Sequence, residues 1–191
     1  MNFDLSSEQQ LLKDSVERFV ADNYSLEARI KVTDAEPGFS KDHWKSFAEL
    51  GWLGLSFAEA DGGFGGGPIE TMLLMETFGK GLVAEPYFAS VVLGGGALRH
   101  GATKALKDAV LPGVVDGTRQ LAFGYAEVQA RFDLEDVVTS AKADGNGFVL
   151  NGTKSIVQNA ATADHIVVSA RTSGGQVDRD GITLFLIDAK Q

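Results

Sequence analysis

Apolar residues recur at helical spacing through the first part of the chain and at strand spacing through the rest. From Ser6 the sequence reads SSEQQLLKDSVERFVADNY, placing Leu12, Val16, Phe19 and Val20 on one face of a helix of about 16 residues. Ser7 and Gln10 stand at capping-box spacing at its start. A second helix is expected over Leu26 to Val32. A third opens at Ser40, carries Trp44, Phe47 and Leu50 on one face, and stops at Gly51.

The run GWLGLSFAEADGGFGGGPIE then passes into a glycine-rich loop, and Pro68 opens a helix at its permitted first position. That helix turns Met72, Met75 and Phe78 toward a core and ends at Gly79. Another helix is expected over Pro86 to His100, weakened by Gly94-Gly95-Gly96. A last one runs from Thr103 through Leu106 and Val110 until Pro112 disturbs it.

After Gly117 the period changes. RQLAFGYAE, DVVTSAKA, GFVLNG, KSIV, DHIVVSAR and GITLFLID are rich in β-branched and aromatic residues and are punctuated by Asn-Gly, Ser-Gly-Gly and Asp-Gly. Six antiparallel strands are indicated, in a sheet expected to close in barrel fashion or to pack its edges. The fold class is therefore α+β multidomain, with an all-helical domain over 1–118 and an antiparallel, β-barrel-like domain over 119–191.

Composition narrows the function. The 191 residues are 44% apolar and 23% charged, the balance of a chain that folds around a core. A formal charge of −9 disfavours a nucleic-acid groove, and neither part of the chain is basic. The absence of cysteine removes disulfides, thiolate nucleophiles and thiolate-ligated metals. The start MNFDLSSEQQ has no apolar core of a secretory signal and no run reaches the roughly 20 apolar residues of a membrane span, so a cytoplasmic protein with no membrane partner is expected.

Few residues offer chemistry on their own. His43, His100 and His165 fall in different elements, which points away from metal binding and toward surface or capping roles. The glycines Gly62 to Gly67 lack the Lys of a phosphate loop and read as a flexible connection. Acids around Asp133, Glu135 and Asp136 read as a solvated turn.

The order of three segments changes this picture. FAELGWLGLSFAEADGGFGGGPIETMLLMETFGKGL, LPGVVDGTRQLAFGYAE and GFVLNGTKSIVQNAATADHIVVSAR, within a similarity running from Phe3 to Ala189, resemble the acyl-CoA dehydrogenase family of flavoenzymes. KSIVQNAATADHIVVSAR with ARFDLEDVVTSA is further similar to the subfamily described as the small subunit of pimeloyl-CoA dehydrogenases. The resemblance implies a helical N-terminal domain, a middle β domain and a C-terminal four-helix domain, with FAD held between the last two. This chain matches the first domain and the front of the second, so the four-helix domain is expected to be absent from it.

In the family a glutamate of that last domain removes the α-proton of an acyl-CoA substrate while the β-hydrogen leaves as hydride to the flavin. No residue here matches its motif, so no catalytic residue is assigned and the isolated chain is expected to be inactive. The resemblance also implies electron transfer flavoprotein as acceptor, and a homo- or hetero-oligomer with another acyl-CoA dehydrogenase subunit. Helix and sheet faces left uncovered are expected to drive self-association.

The flavin contacts implied by the resemblance fall on Tyr125, Ala126, Phe132, Ile156, Val157 and Gln158. Where the family has Thr-Glu-Pro-Gly-x-Gly-Ser-Asp, this chain reads AEVQARFD, keeping Glu127 and Asp133 but placing Ala126 at the threonine and Phe132 at the serine. Where the family has Trp-Ile-Thr or Trp-Ile-Ser, it reads Ile156-Val157-Gln158. Three readings follow: a dehydrogenase of a degenerate subunit type, a scaffold subunit whose flavin site is weak, or an independent helical and β binding module.

Overall fold

The structure, a computed structural model, describes residues 4–190. Met1–Phe3, touched by the reading of the leader and by the start of the resemblance, lie outside the described residues, as does Gln191. The chain divides into two compact units. The first runs from the N-terminus to Phe88 and resumes over Lys104–Thr118; the second takes Ala89–Thr103 and everything from Arg119 onward.

The first unit is helical: α1 Ser7–Asn23, α2 Leu26–Thr33, α3 Lys41–Glu49, α4 Pro68–Lys80 and α6 Lys104–Val115. The cap of α1 sits one residue earlier than the sequence spacing suggests. Ser6 accepts from the Gln9 N–H, and the Gln9 side chain accepts from the Ser6 N–H at 3.0 Å. Serines 25 and 40 cap α2 and α3 in the same way. An aromatic cluster fills the centre, with Phe47 stacked on Phe78 at 5.0 Å and Phe19, Trp52 and Tyr87 meeting the cluster edge-on.

Four expectations are corrected here. Leu73, Leu74 and Phe78 form the buried face of α4, while Met72 is half exposed and the helix continues to Lys80. Helix α6 passes through Pro112 to Val115. His43 is not a surface group: its Nδ1 lies 3.4 Å from the carboxylate of Glu85, which is buried and also bound by the Tyr24 hydroxyl and the Ser40 N–H. Lastly, the glycine-rich loop is packed in part: Gly62 and Gly65 take left-handed turns in open space, but a Cβ on Gly63 would stand 2.3 Å from the Phe57 carbonyl oxygen, a distance no side chain tolerates.

The second unit opens with a π-helix, Phe88–Gly95, that continues into the short α5, Gly96–Gly101. Its glycines let it approach the sheet, since a Cβ on Gly94 would meet the Leu121 Cβ at 2.6 Å. Beside it the buried Ser90 Oγ accepts from the Leu121 N–H at 3.0 Å. The strands are β1 Leu121–Gly124, β2 Ser140–Asp144, β3 Gly147–Asn151, β4 His165–Arg171 and β5 Ile182–Asp188.

The sheet is mixed rather than antiparallel. β1 runs parallel to β4 with Leu121 opposite His165, and β2 joins β4 in parallel at Ser140 and Arg171. The β2–β3 hairpin and the β4–β5 pair are antiparallel. The reason is connectivity: 125–139 and 152–164 are crossing loops instead of hairpin turns, so β4 arrives in the direction of β1. KSIV is not a strand, for it lies in the second crossing loop. No helix among the described residues is long and apolar enough to cross a membrane.

Replacing Ser90 with Ala would leave the buried Leu121 N–H without its acceptor, at a cost of about 1–3 kcal/mol. Urea unfolding of Ser90→Ala is expected to show a loss in that range with an unchanged denaturant slope.

Candidate functional site

Two loops of the second unit meet at one buried ion pair. β1 ends at Gly124 and the chain turns outward, carrying Glu127 back inside. The second loop leaves β3 through Gly152 and brings in Lys154. Lys154 Nζ stands 2.6 Å from Glu127 Oε1, with side-chain exposures of 8% and 3%, so neither charge is hydrated to any extent. The ammonium also donates to Ser169 Oγ on β4 at 3.0 Å and to the Tyr125 carbonyl at 3.4 Å.

The carboxylate is equally well held. It accepts from the N–H groups of Val138 at 2.8 Å and Thr139 at 3.1 Å, and from Gln129 Nε2 at 2.8 Å. Burial alone pushes the Glu127 carboxyl up, but the bonds from Lys154, Thr139, Gln129 and Val138 outweigh it and hold the group at about 2, against an ordinary 4.5. A buried charge is stable only when its partner and remaining lone pairs are supplied in this way.

Around this pair the structure brings together five of the six residues matched to flavin contacts. Tyr125 and Ala126 precede Glu127; Ile156, Val157 and Gln158 follow Lys154. The Ser155 N–H donates to the Ala126 carbonyl at 2.9 Å and joins the two loops directly. Val157 packs on the bare backbone of Gly124, where an added Cβ would lie 3.5 Å from its Cγ2. Tyr125 stands 39% exposed, its ring 5.2 Å from that of Phe123. Phe132 is the exception: it is wholly exposed, and no hydrogen bond or ring contact joins it to Ile156–Gln158 among the described residues.

Ile156 is 89% exposed and has φ of 51°. A β-branched residue in the left-handed region is a conformational outlier that costs about 1–2 kcal/mol, and here no burial offsets it. Arg131 and Asn159 share the left-handed region, so three of the four non-glycine residues with positive φ among those described lie in these loops. Asn159 is tied down by its side-chain amide, which donates to the Leu121 carbonyl at 3.1 Å.

Ile156 and Tyr125 offer apolar surface to solvent, while the exposed Gln158 places an amide beside them. Glu127 is paired with Lys154 and enclosed, so its carboxylate is taken up in the fold. The acids at the turn have structural partners: Asp133 accepts from the Glu135 N–H at 3.0 Å, and Glu135 pairs with Arg179 at 2.7 Å. Among the described residues no group of three potential metal ligands gathers.

Residues 6–118 match the family described as acyl-CoA dehydrogenase, N-terminal domain, and residues 122–191 match acyl-CoA dehydrogenase, middle domain. The chain belongs to the acyl-CoA dehydrogenase family. It is 31% identical over 189 residues to the probable acyl-CoA dehydrogenase YngJ of Bacillus subtilis, covering 98% of this chain and 49% of that protein. Among solved structures it is similar to the FAD complex of PigA, with a TM-score of 0.85, 27% identity and coverage of 98% and 49%. It is also similar to the ChsE4–ChsE5 complex of Mycobacterium tuberculosis, again with a TM-score of 0.85, 27% identity and coverage of 99% and 49%. The chain thus spans about half the length of the relatives it matches.

Because the Glu127 carboxyl is held down in the fold, its contribution is fully present above pH 4.5 and is lost as pH falls from there toward 2. The difference corresponds to at most about 3 kcal/mol. Urea unfolding of wild type and of Glu127→Gln/Lys154→Met between pH 6 and pH 2.5 is expected to show the wild type losing more stability on acidification, by an amount of that order.

Proposed function

We propose that the chain supplies one wall of the flavin site of an FAD-dependent acyl-CoA dehydrogenase, an oxidoreductase of the CH–CH bond next to an acyl-CoA thioester. The observation that carries this reading is the convergence of Tyr125–Ala126 and Ile156–Gln158 on the Glu127–Lys154 pair, with an exposed apolar face. FAD, when bound, would accept the hydride lost from the β-carbon of the substrate. Ile156 and Tyr125 would cover an apolar face of its ring, and Gln158 would meet a polar edge. Phe132 belongs to this proposal only through the family match.

The base that removes the α-proton is assigned to elements outside these 191 residues. In the full assembly the acyl-CoA would meet this wall together with a further helical domain, from the same polypeptide or from a second acyl-CoA dehydrogenase subunit. The finer reading is a small subunit of the pimeloyl-CoA type, acting on a dicarboxylic acyl group in the cytoplasm and passing electrons to an electron transfer flavoprotein. The replacements at Ala126, Phe132 and Ile156 support a second reading, a scaffold subunit with a weakened flavin site.

Flavin titration of the full-length protein separates the two. Saturable binding of FAD, with yellow protein from which the flavin is released on denaturation, supports the first; colourless protein that never binds it supports the second. Ile156→Trp is expected to tighten FAD binding roughly 2- to 12-fold, the equivalent of 0.5–1.5 kcal/mol for an added aromatic stack, as read by quenching of flavin fluorescence.

A further inference from the structure

The buried pair and the strained loop are two halves of one device. Ile156 gains nothing from its own surroundings, since it is 89% exposed, yet it sits in a backbone state that a β-branched side chain disfavours. An exposed residue of this kind relaxes unless its neighbours prevent it. Those neighbours are all anchored: Lys154 by Glu127 and Ser169, Ser155 by the Ala126 carbonyl, Val157 against Gly124, and Asn159 by the Leu121 carbonyl.

We infer that Lys154 is a positioning residue for the flavin wall: by pairing with Glu127 beneath the loop it holds Ile156 in its left-handed conformation and fixes the surface that the ring would meet. The inference rests on the functional reading above for the identity of the ring, but the mechanical part does not. The ion pair takes no share in electron or proton transfer. It converts a loop with several accessible shapes into one shape, so that binding incurs no ordering cost for that loop.

Glu127 links the device to the rest of the sheet. Its carboxylate binds the N–H groups of Val138 and Thr139 just ahead of β2, while Ser169, the third partner of Lys154, lies on β4. The Ile156 loop is therefore referenced to two strands at once, and loss of the pair frees it without removing any strand.

Lys154→Met alone leaves Glu127 buried without its counter-ion, so the informative variant is Glu127→Gln/Lys154→Met, which removes both charges and keeps the shape. Two measurements are made on it: amide hydrogen exchange over Ser155–Gln158 in flavin-free protein, and FAD affinity by fluorescence titration. The inference expects exchange in that segment to accelerate by about tenfold or more while the amides of β4 stay protected, and FAD to bind at least about tenfold more weakly with far-ultraviolet circular dichroism unchanged. In an Ile156→Gly background the same double change is expected to alter affinity by less than about twofold, because positioning acts through Ile156. Unchanged exchange over Ser155–Gln158 overturns the inference whatever the flavin does, and so does full affinity in the double variant. A full-length wild type that binds no FAD overturns the functional reading, while the exchange measurement still decides the role of Lys154.

Discussion

A lysine and a glutamate removed from water must supply one another with what water no longer gives, and the second unit is arranged around that requirement. Glu127 receives four hydrogen bonds from protein groups and Lys154 gives three. Together these bonds gather four pieces of chain: the loop after β1, the approach to β2, the loop after β3 and the middle of β4. The crossing loops that make the sheet mixed are long and irregular, and loops of that kind carry backbone groups that have to be satisfied locally. The ion pair does this for both of them at a single point.

The helical unit depends on a different principle, the stacking of aromatic rings in a dry centre. Phe47 touches Phe19, Trp44, Trp52 and Phe78, and the glycine-rich loop packs on the backbone of Gly54, Leu55 and Phe57 at distances only glycine allows. Glu85 is the one acid buried in that unit among the described residues, and it is handled as Glu127 is, with a hydroxyl and a backbone N–H. Both units therefore bury an acid only where the fold brings several donors to it.

Local signals in the sequence proved good guides to local structure. Helical periodicity located the first three helices, with the α1 cap read one residue late at Ser7, and β-branched runs located five strands. What such signals cannot hold is pairing between distant segments. Asn151-Gly152 has the composition of a hairpin turn, yet Lys154 just beyond it is drawn to Glu127, and the chain enters a loop instead of a strand. Gly94-Gly95-Gly96 reads as a weak point in a helix; in three dimensions Gly94 is a contact surface for Leu121. At the candidate site, resemblance pointed to Ile156–Gln158 and to Ala126, but the pair that joins them was visible only as an isolated acid and an isolated base. An acid and a base each flanked by apolar, strand-like sequence was the available sign.

The parallel pairing of β1 with β4 also sets an order of events. The bond from the Gln120 N–H to the Asp164 carboxylate spans 44 positions, and Leu121 can find its strand partner only after His165 exists. During synthesis the first strand would therefore wait, its edge open, until the crossing loops and the β2–β3 hairpin had emerged; long-range parallel contacts form late for this reason. The bond from Leu121 to Ser90 gives that strand a docking place made from chain already available, so the π-helix doubles as a cradle for a nascent sheet.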